Sequence, residues 1–316
     1  MSNFAFNNPA FKQQDPRNVA TYPGASPQGA AQAAQTASAA HAGMNAAVNA
    51  QLEGIYAAPP AGAIETDRMT VEDTVWKTAG LFGILLVTAV IGWFFTLSKF
   101  GGAIPNLSDP YVHSAAMGQV VAWPWIVGAL GGFVLAMVVT FTSRKKVRPA
   151  LIFAYAAFEG LFVGGISAFF EIMFPGIVVQ ATLATVAVVG VTLALFASGK
   201  IRASKKMTKI FMIAMLGYLV FSLLNVGLML FNVLPQDQMF GMFSAKVAGI
   251  PLGLIIGVLV VFMAAYSLVL DFDQIQQGVR NGAPRVYGWL GGFGIMVTVV
   301  WLYVEILRII AIARSN

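Results

Sequence analysis

Five acidic residues lie inside or at the ends of long apolar stretches of the chain: Glu159, Glu171, Asp271, Asp273 and Glu305. A charged side chain at the centre of a bilayer costs about 2.5–3.5 kcal/mol even on the mild insertion scale. Each of these carboxyl groups therefore needs a partner, a proton or access to water. We expect the functional part of the chain to lie among them.

Two carboxyl groups that lie close together in an apolar setting have a defined chemistry. Loss of water favours the neutral acid and a neighbouring carboxylate favours it further, so the two groups share a proton and titrate as a pair. When both are ionised they attract a hard cation such as calcium, which prefers oxygen ligands. Protonation removes this attraction, so one arrangement provides both pH sensing and cation binding.

The same acids also have structural interpretations, which the sequence leaves open. Asp271 and Asp273 fit solvated residues at a helix end that pair with Arg280 or Arg285. Glu159 fits a protonated residue that is hydrogen-bonded to a neighbouring helix.

The two remaining acids have similar alternatives. Glu305 precedes Arg308 by three residues, which is the spacing of an ion pair on one helix. Glu171 is expected at the membrane interface, where water is available. Glu305 nevertheless stays among the candidate residues for ion and proton sensing.

Missing residue types argue against an enzyme. The chain has no cysteine, which excludes disulfides, thiolate metal sites and cysteine nucleophiles. Its two histidines, His41 and His113, lie outside the apolar stretches, so an intramembrane serine protease would lack its base. HExxH and GxxxxGK[ST] motifs are missing, and the last apolar stretch has no Schiff-base lysine of a retinal protein. We expect no catalytic residues and no cofactor other than a calcium ion.

The composition is that of a membrane protein. Hydrophobic residues make up 58% of the 316 residues and charged residues only 10%, against about 25% charged residues in soluble domains. The net charge of +6 comes from short basic clusters between apolar runs, a pattern of membrane topology rather than of nucleic-acid binding. We expect membrane lipid as a partner and no nucleic acid.

Seven apolar stretches are long enough to span a bilayer as helices. They are continuously apolar, whereas barrel strands would alternate over about ten residues. The sequence therefore predicts an all-α, polytopic bundle of seven transmembrane helices within residues 67–316. The predicted spans are 78–98, 123–142, 151–170, 177–197, 209–231, 248–270 and 289–312.

Basic residues predict the orientation. The connections after the second, fourth and sixth spans carry eleven lysines and arginines, while the alternate connections carry only Lys99 and Lys246. By the positive-inside rule the amino terminus lies in the cytoplasm and, with seven spans, the carboxyl terminus lies outside. We expect a multi-pass protein of the bacterial cell (inner) membrane.

Residues 1–66 are rich in alanine, glutamine and proline and contain few large apolar side chains. They cannot bury enough surface to offset the entropy of ordering, which predicts a disordered cytoplasmic tail. Thr70 and Asp73 then have the spacing of a helix-capping box, which predicts a starting helix or an early first span.

Small residues recur at the spacing used by packed membrane helices. Three GxxxG pairs and a glycine stripe at Gly249, Gly253 and Gly257 predict close approach of backbones within the bundle, with a homodimer face as the alternative. Pro251, near the start of the sixth span, predicts either a kink or the first turn of that helix. The pairs are Gly128 and Gly132, Gly160 and Gly164, and Gly288 and Gly292.

Residues 75–312 resemble the bacterial branch of the Bax inhibitor (TMBIM, also called YccA-like) membrane family. The resemblance is carried by the seven-span layout and by the order of FEGLFVGGIS in the third span, LDFDQI at the end of the sixth and WLYVEILRII near the chain end. It implies a bundle in which the last helix is central and surrounded by the other six. It also implies a pH-sensitive calcium leak whose sensor is an acid pair from the sixth and seventh spans.

Carried over by position, the resemblance places the sixth-span acid at Asp271 and puts Thr298 where the second aspartate would stand. The chain departs from the family pattern at Thr298. The third span begins on the same side of the membrane as the seventh, and Glu159 lies at nearly the same depth as Thr298. We therefore expect Glu159 to supply the missing carboxylate, with Asp273 as an accessory. Glu305 lies two turns beyond Thr298, which places it too far outward to contact Asp271.

Three functions follow as alternatives. The first is a pH-gated calcium or cation leak channel that uses Asp271 and Glu159. The second is a non-conducting regulatory membrane protein that binds a membrane protease, a secretion factor or a division protein. A secondary transporter is the third, although such folds show broken helices in matching halves and we find no convincing internal repeat.

Overall fold

A computed structural model describes residues 67–101, 118–231, 233 and 240–315. Within these residues, seven α-helices are each long and apolar enough to cross a membrane. They are α1 (Val71–Thr96), α2 (Trp123–Thr142), α3 (Pro149–Met173), α4 (Ile177–Ala197), α5 (Lys205–Leu230), α6 (Leu252–Arg280) and α7 (Tyr287–Ser315). The predicted all-α, seven-helix class is confirmed, while the predicted tail at 1–66 lies outside the described residues.

Helix α1 begins seven residues before the predicted first span because its start is capped. The Asp73 amide donates to the Thr70 hydroxyl oxygen at 3.1 Å, as the capping spacing predicts. The cap satisfies one of the free amide groups of the first turn and lets the helix extend into a more polar segment.

Helix α6 begins four residues later than predicted. The segment before it forms a hairpin in which β1 (Lys246–Val247) pairs with β2 (Ile250–Pro251). Gly249 lies in the turn of this hairpin with φ at +82°, a backbone region that favours glycine. The predicted glycine stripe therefore contains only the other two glycines, and Pro251 marks the start of α6 rather than a kink.

The last helix is the central one, as predicted. It is the most enclosed of the seven spans and packs on α1, α3, α4 and α6. Helix α2 packs mainly on α3 at the outside of the bundle. Helix α5 is the least enclosed span, with Phe211 and Asn225 as its buried residues.

The three GxxxG pairs serve packing within the chain. A side chain at Gly164 would collide with the backbone carbonyl of Ala89, which brings α3 against α1. A side chain at Gly128 would also collide with the backbone of α3, at Phe162, and Gly292 faces Thr78 on α1. Small residues thus let α1, α2, α3 and α7 approach closely, as the spacing predicts.

The start of α1 is joined to the connection between α6 and α7, an arrangement here called the amino-terminal clamp. The Met69 amide donates to the Ala283 carbonyl at 2.7 Å, and the Arg285 amide donates to the Asp67 carbonyl at 2.9 Å. Asp73 forms ion pairs with both Lys77 and Arg285. These contacts connect the first described residues to the α6–α7 connection at one end of the bundle.

Candidate functional site

Asp271 is the most deeply enclosed acid of the candidate set, with 1% of its surface exposed. It lies on α6 one turn after Ser267, so both side chains are on the face that contacts α7. Across the interface, the Thr298 hydroxyl donates to Asp271 Oδ2 at 2.6 Å. The Ser267 and Thr298 hydroxyl oxygens are 3.5 Å apart. These three residues form a buried polar chain between α6 and α7.

The family resemblance places Thr298 at the position of the second aspartate, and the structure brings Thr298 into direct contact with Asp271. Ser267 did not enter the sequence prediction. Its spacing of four residues before Asp271 is the signal that would have found it, because residues at i and i+4 share a helix face.

Glu159 lies in a different interface. Its carboxylate is within hydrogen-bonding reach of the Tyr155 hydroxyl on the same helix. Its Oε2 atom points at Gly132 of α2 and would lie 2.7 Å from a Cβ atom placed there, so a larger residue at this position would force the carboxylate to shift. Tyr155 in turn packs against Phe293 of α7, with ring centres 4.8 Å apart. Glu159 therefore occupies the α2–α3 interface.

The structure does not bring Glu159 and Asp271 together. The first faces α2 and the second faces α7, and neither has the other among its contacts. The expectation that Glu159 takes the place of the second carboxylate beside Asp271 is therefore not met by this arrangement. The reason is the rotation of α3, which turns Glu159 toward the space left by Gly132.

Asp273, the expected accessory, is also directed elsewhere. Its Oδ2 atom accepts a hydrogen bond of 2.7 Å from the Gln277 side chain, one turn later on α6. Two residues along a helix correspond to a rotation of about 200°, so Asp273 and Asp271 lie on opposite faces. Asp273 does not pair with Arg280 or Arg285 in this arrangement, and Arg285 pairs with Asp73 instead.

Glu305 is the second buried acid, and it is paired. Its carboxylate forms an ion pair with Arg308, as the spacing of three residues allows. Tyr218 of α5 donates to Glu305 Oε2 at 2.9 Å and accepts a hydrogen bond of 3.1 Å from Arg308. The guanidinium of Arg308 lies 4.1 Å from the ring centre of Phe243. This group joins α5 to α7, away from Asp271.

Glu171 has a structural role at the turn between α3 and α4. Its carboxylate accepts hydrogen bonds from the amides of Gly176 and Val178, the latter at 3.0 Å. An acidic side chain at a helix start satisfies free amide groups and interacts favourably with the helix dipole. Glu171 thus caps α4.

The Asp271 site offers oxygen ligands, from the carboxylate of Asp271 and the hydroxyl groups of Thr298 and Ser267. One carboxylate and two hydroxyl groups are ligands that a hard cation accepts. In the part of the chain that the structure describes, no group of three or more histidine, cysteine or acidic residues converges on a metal position. The three ion pairs of that part do not include Asp271.

Comparison with known proteins identifies one family. The sequence model described as Bax inhibitor 1 like matches residues 8–315, which extends the resemblance seen at 75–312 to nearly the whole chain. No curated protein and no solved structure matches the chain. Together with the seven apolar helices, the match shows a multi-pass membrane protein. The chain belongs to the Bax inhibitor 1 like family.

Proposed function

We propose that the protein is a pH-sensitive calcium leak of the bacterial cell membrane, with Asp271 as its proton-responsive group. The observation that carries the proposal is the position of this carboxyl group, which is buried in the α6–α7 interface and contacts a hydroxyl group rather than a cation. A buried carboxylate without a cationic partner is costly, so its charge state responds to protons or to a bound cation.

Thr298 and Ser267 allow the site to accommodate both states of Asp271. The Thr298 hydroxyl donates to the ionised carboxylate at 2.6 Å. A neutral carboxyl group donates its own proton instead, and Thr298 then accepts it while its hydrogen turns toward Ser267. The polar chain stays satisfied in both states, and only its charge changes.

The charge of Asp271 sets the attraction for calcium. An ionised carboxylate attracts the cation and a neutral carboxyl group does not, so calcium binding rises with pH across the titration of this group. Asp271 lies nine residues before the end of α6, about 14 Å along the helix from that end. With the basic connections in the cytoplasm, calcium reaches the site from the cytoplasmic side over this distance.

Flux into liposomes tests the proposal. The purified full chain is reconstituted with a calcium indicator inside the vesicles, and flux is measured from pH 5.5 to 8. Wild-type protein is expected to conduct calcium in a pH-dependent manner, and Asp271→Asn is expected to abolish that pH dependence. Asp273→Asn is the matched control, because this side chain contacts Gln277 on the opposite face of α6 and is expected to retain both properties.

Two outcomes would contradict the proposal. Correctly folded wild-type protein that conducts no calcium at any pH would favour the non-conducting regulator, which binds a membrane partner. A normal pH dependence in Asp271→Asn would remove this residue as the sensor. Glu159→Gln tests the second acid, since an unchanged pH midpoint removes Glu159 from the site and a shifted midpoint retains it.

A further inference from the structure

An apolar groove runs between α1 and α4, with α7 as its floor. Both outer helices pack on α7 and leave a gap between themselves. Two adjoining cavities of about 580 and about 630 Å³ occupy this gap and share residues from all three helices, namely Phe82, Thr185, Val186 and Val299. Along α4 they extend from Val178 to Ala197, about 30 Å at 1.5 Å per residue. The groove therefore matches the thickness of a bilayer's hydrocarbon core.

The walls of the groove are suited to a flexible apolar chain. They consist mainly of aliphatic and aromatic side chains, with a few hydroxyl groups of serine and threonine and with large residues such as Trp93 and Phe94 on α1. A transmembrane helix seated here would need small residues at its contact. The α4 wall is instead formed mostly by valine, leucine and phenylalanine, and its smallest residues are Gly190 and Ala197. The space beside Gly190 is open, with no atom within 4 Å of a side chain placed there.

Two arginines meet at one end of the groove. Arg202 and Arg280 both donate to the side-chain oxygen of Gln276, at 2.9 and 3.3 Å. Gln276 and Phe196 line the groove, and the guanidinium of Arg202 lies 4.8 Å from the ring centre of Phe196. The ion pairs found within the described residues include neither arginine. At this end of the groove two guanidinium groups therefore lie side by side, and the partner they share, Gln276, is uncharged.

We propose that this groove binds an anionic phospholipid, with an acyl chain along α4 and the phosphate held by Arg202 and Arg280. Guanidinium groups match the geometry of phosphate oxygens, and basic pockets between membrane helices are suited to anionic head groups. The acyl chain replaces the disordered lipid that would otherwise fill the gap. This inference does not depend on calcium flux.

The lipid site adjoins the candidate sensor. Phe272 and Val299 line the groove, and they are the sequence neighbours of Asp271 and Thr298. A bound acyl chain therefore contacts the same turns of α6 and α7 that carry the buried hydrogen bond. An acyl chain in the groove fills the gap between α1 and α4 and so keeps these two helices apart at the level of Asp271 and Thr298.

Lipid titration tests the head-group contact. Phosphatidylglycerol or phosphatidylcholine is added to the full chain in detergent, and bound lipid is counted by native mass spectrometry. Wild-type protein is expected to bind one phosphatidylglycerol in preference to phosphatidylcholine. Arg202→Gln is expected to weaken phosphatidylglycerol binding about fivefold, from about 1 kcal/mol per basic residue, and to leave phosphatidylcholine unchanged. Arg144→Gln, an exposed cation in another connection, is the control and should change neither.

A second variant tests the acyl-chain contact without altering charge. Gly190→Leu fills the open space of the groove and is expected to weaken the binding of both lipids. Gly217→Leu, the same change beside open space on α5, should have no effect. Both variants must melt at the wild-type temperature, which separates loss of lipid from loss of fold; a large shift for Gly190→Leu would itself contradict the open space at this position.

Three results would overturn the proposal. Unchanged lipid binding in Gly190→Leu would exclude the groove as the acyl site. A change of oligomeric state in Gly190→Leu without a change in lipid binding would show that a second protein helix occupies the groove. Competition by inorganic phosphate as strong as by phosphatidylglycerol would show an anion site at the arginines alone.

Discussion

Removal of the buried charge at Glu305 is expected to lower the stability of the bundle substantially. Glu305 is 3% exposed and holds the guanidinium of Arg308, while Tyr218 contacts both groups from α5. Glu305→Gln preserves the size of the side chain and removes its charge. The guanidinium is then left inside the membrane without a counter-charge, and its partners are neutral: the amide of the new side chain, the Tyr218 hydroxyl and the ring of Phe243.

The magnitude follows from the exposure of the two partners. Loss of one member of a buried ion pair costs about 3–5 kcal/mol, because the other charge stays buried and uncompensated. The Arg308 side chain is 18% exposed and keeps its aromatic contact, which places the expected loss near the lower limit, at about 3 kcal/mol. Replacement of both Glu305 and Arg308 by leucine removes both charges and is expected to restore stability to within about 1 kcal/mol of wild type.

The free energy of unfolding can be measured by detergent denaturation in bicelles, followed by tryptophan fluorescence. Glu72→Gln is the matched control, because this acid is exposed at the start of α1 and should contribute less than about 1 kcal/mol. A loss below about 1 kcal/mol for Glu305→Gln would refute the reasoning. The reasoning would also be refuted if the variant with leucine at both Glu305 and Arg308 were no more stable than Glu305→Gln.

Two further predictions concern the packing of the bundle and the amino-terminal clamp. Gly164→Ala is expected to lower the melting temperature, with a loss of about 2 kcal/mol, because its side chain would meet the carbonyl oxygen of Ala89. Gly190→Ala, beside open space, should change stability by less than about 1 kcal/mol, and equal melting of the two variants would contradict the packing argument. Asp73→Asn removes both ion pairs of the amino-terminal clamp and should speed hydrogen exchange at the Arg285 amide, whereas unchanged exchange would show that the backbone bonds suffice.

Long apolar runs made the helices predictable, and local chemistry determined their ends. A membrane leaves a 20-residue apolar segment little choice except a helix, since every backbone group must be satisfied internally. The start of α6 was placed too early because residues 246–251 are apolar enough to continue a span. Their hairpin depends on the left-handed turn at Ala248 and Gly249, which hydropathy does not report.

The contact between Asp271 and Thr298 was predictable by position, whereas the direction of Glu159 was not. The depth of Glu159 follows from residue counting, but its direction depends on the rotation of α3 about its axis. That rotation is set by glycines that bring α3 against α1 and α2, which is a property of the whole bundle. The contact of Tyr218 with Glu305 likewise joins helices that are distant in sequence.

The amino-terminal clamp ties the first described residues to the connection that leads into α7, the central helix of the bundle. Asp67 and Met69 are joined by backbone hydrogen bonds to the short connection that links α6 and α7. A pull on the segment that precedes Asp67 is therefore transmitted to this connection directly, without passing through α1. The two helices that carry Asp271 and Thr298 begin or end at this point, so tension from outside the bundle acts on their relative position.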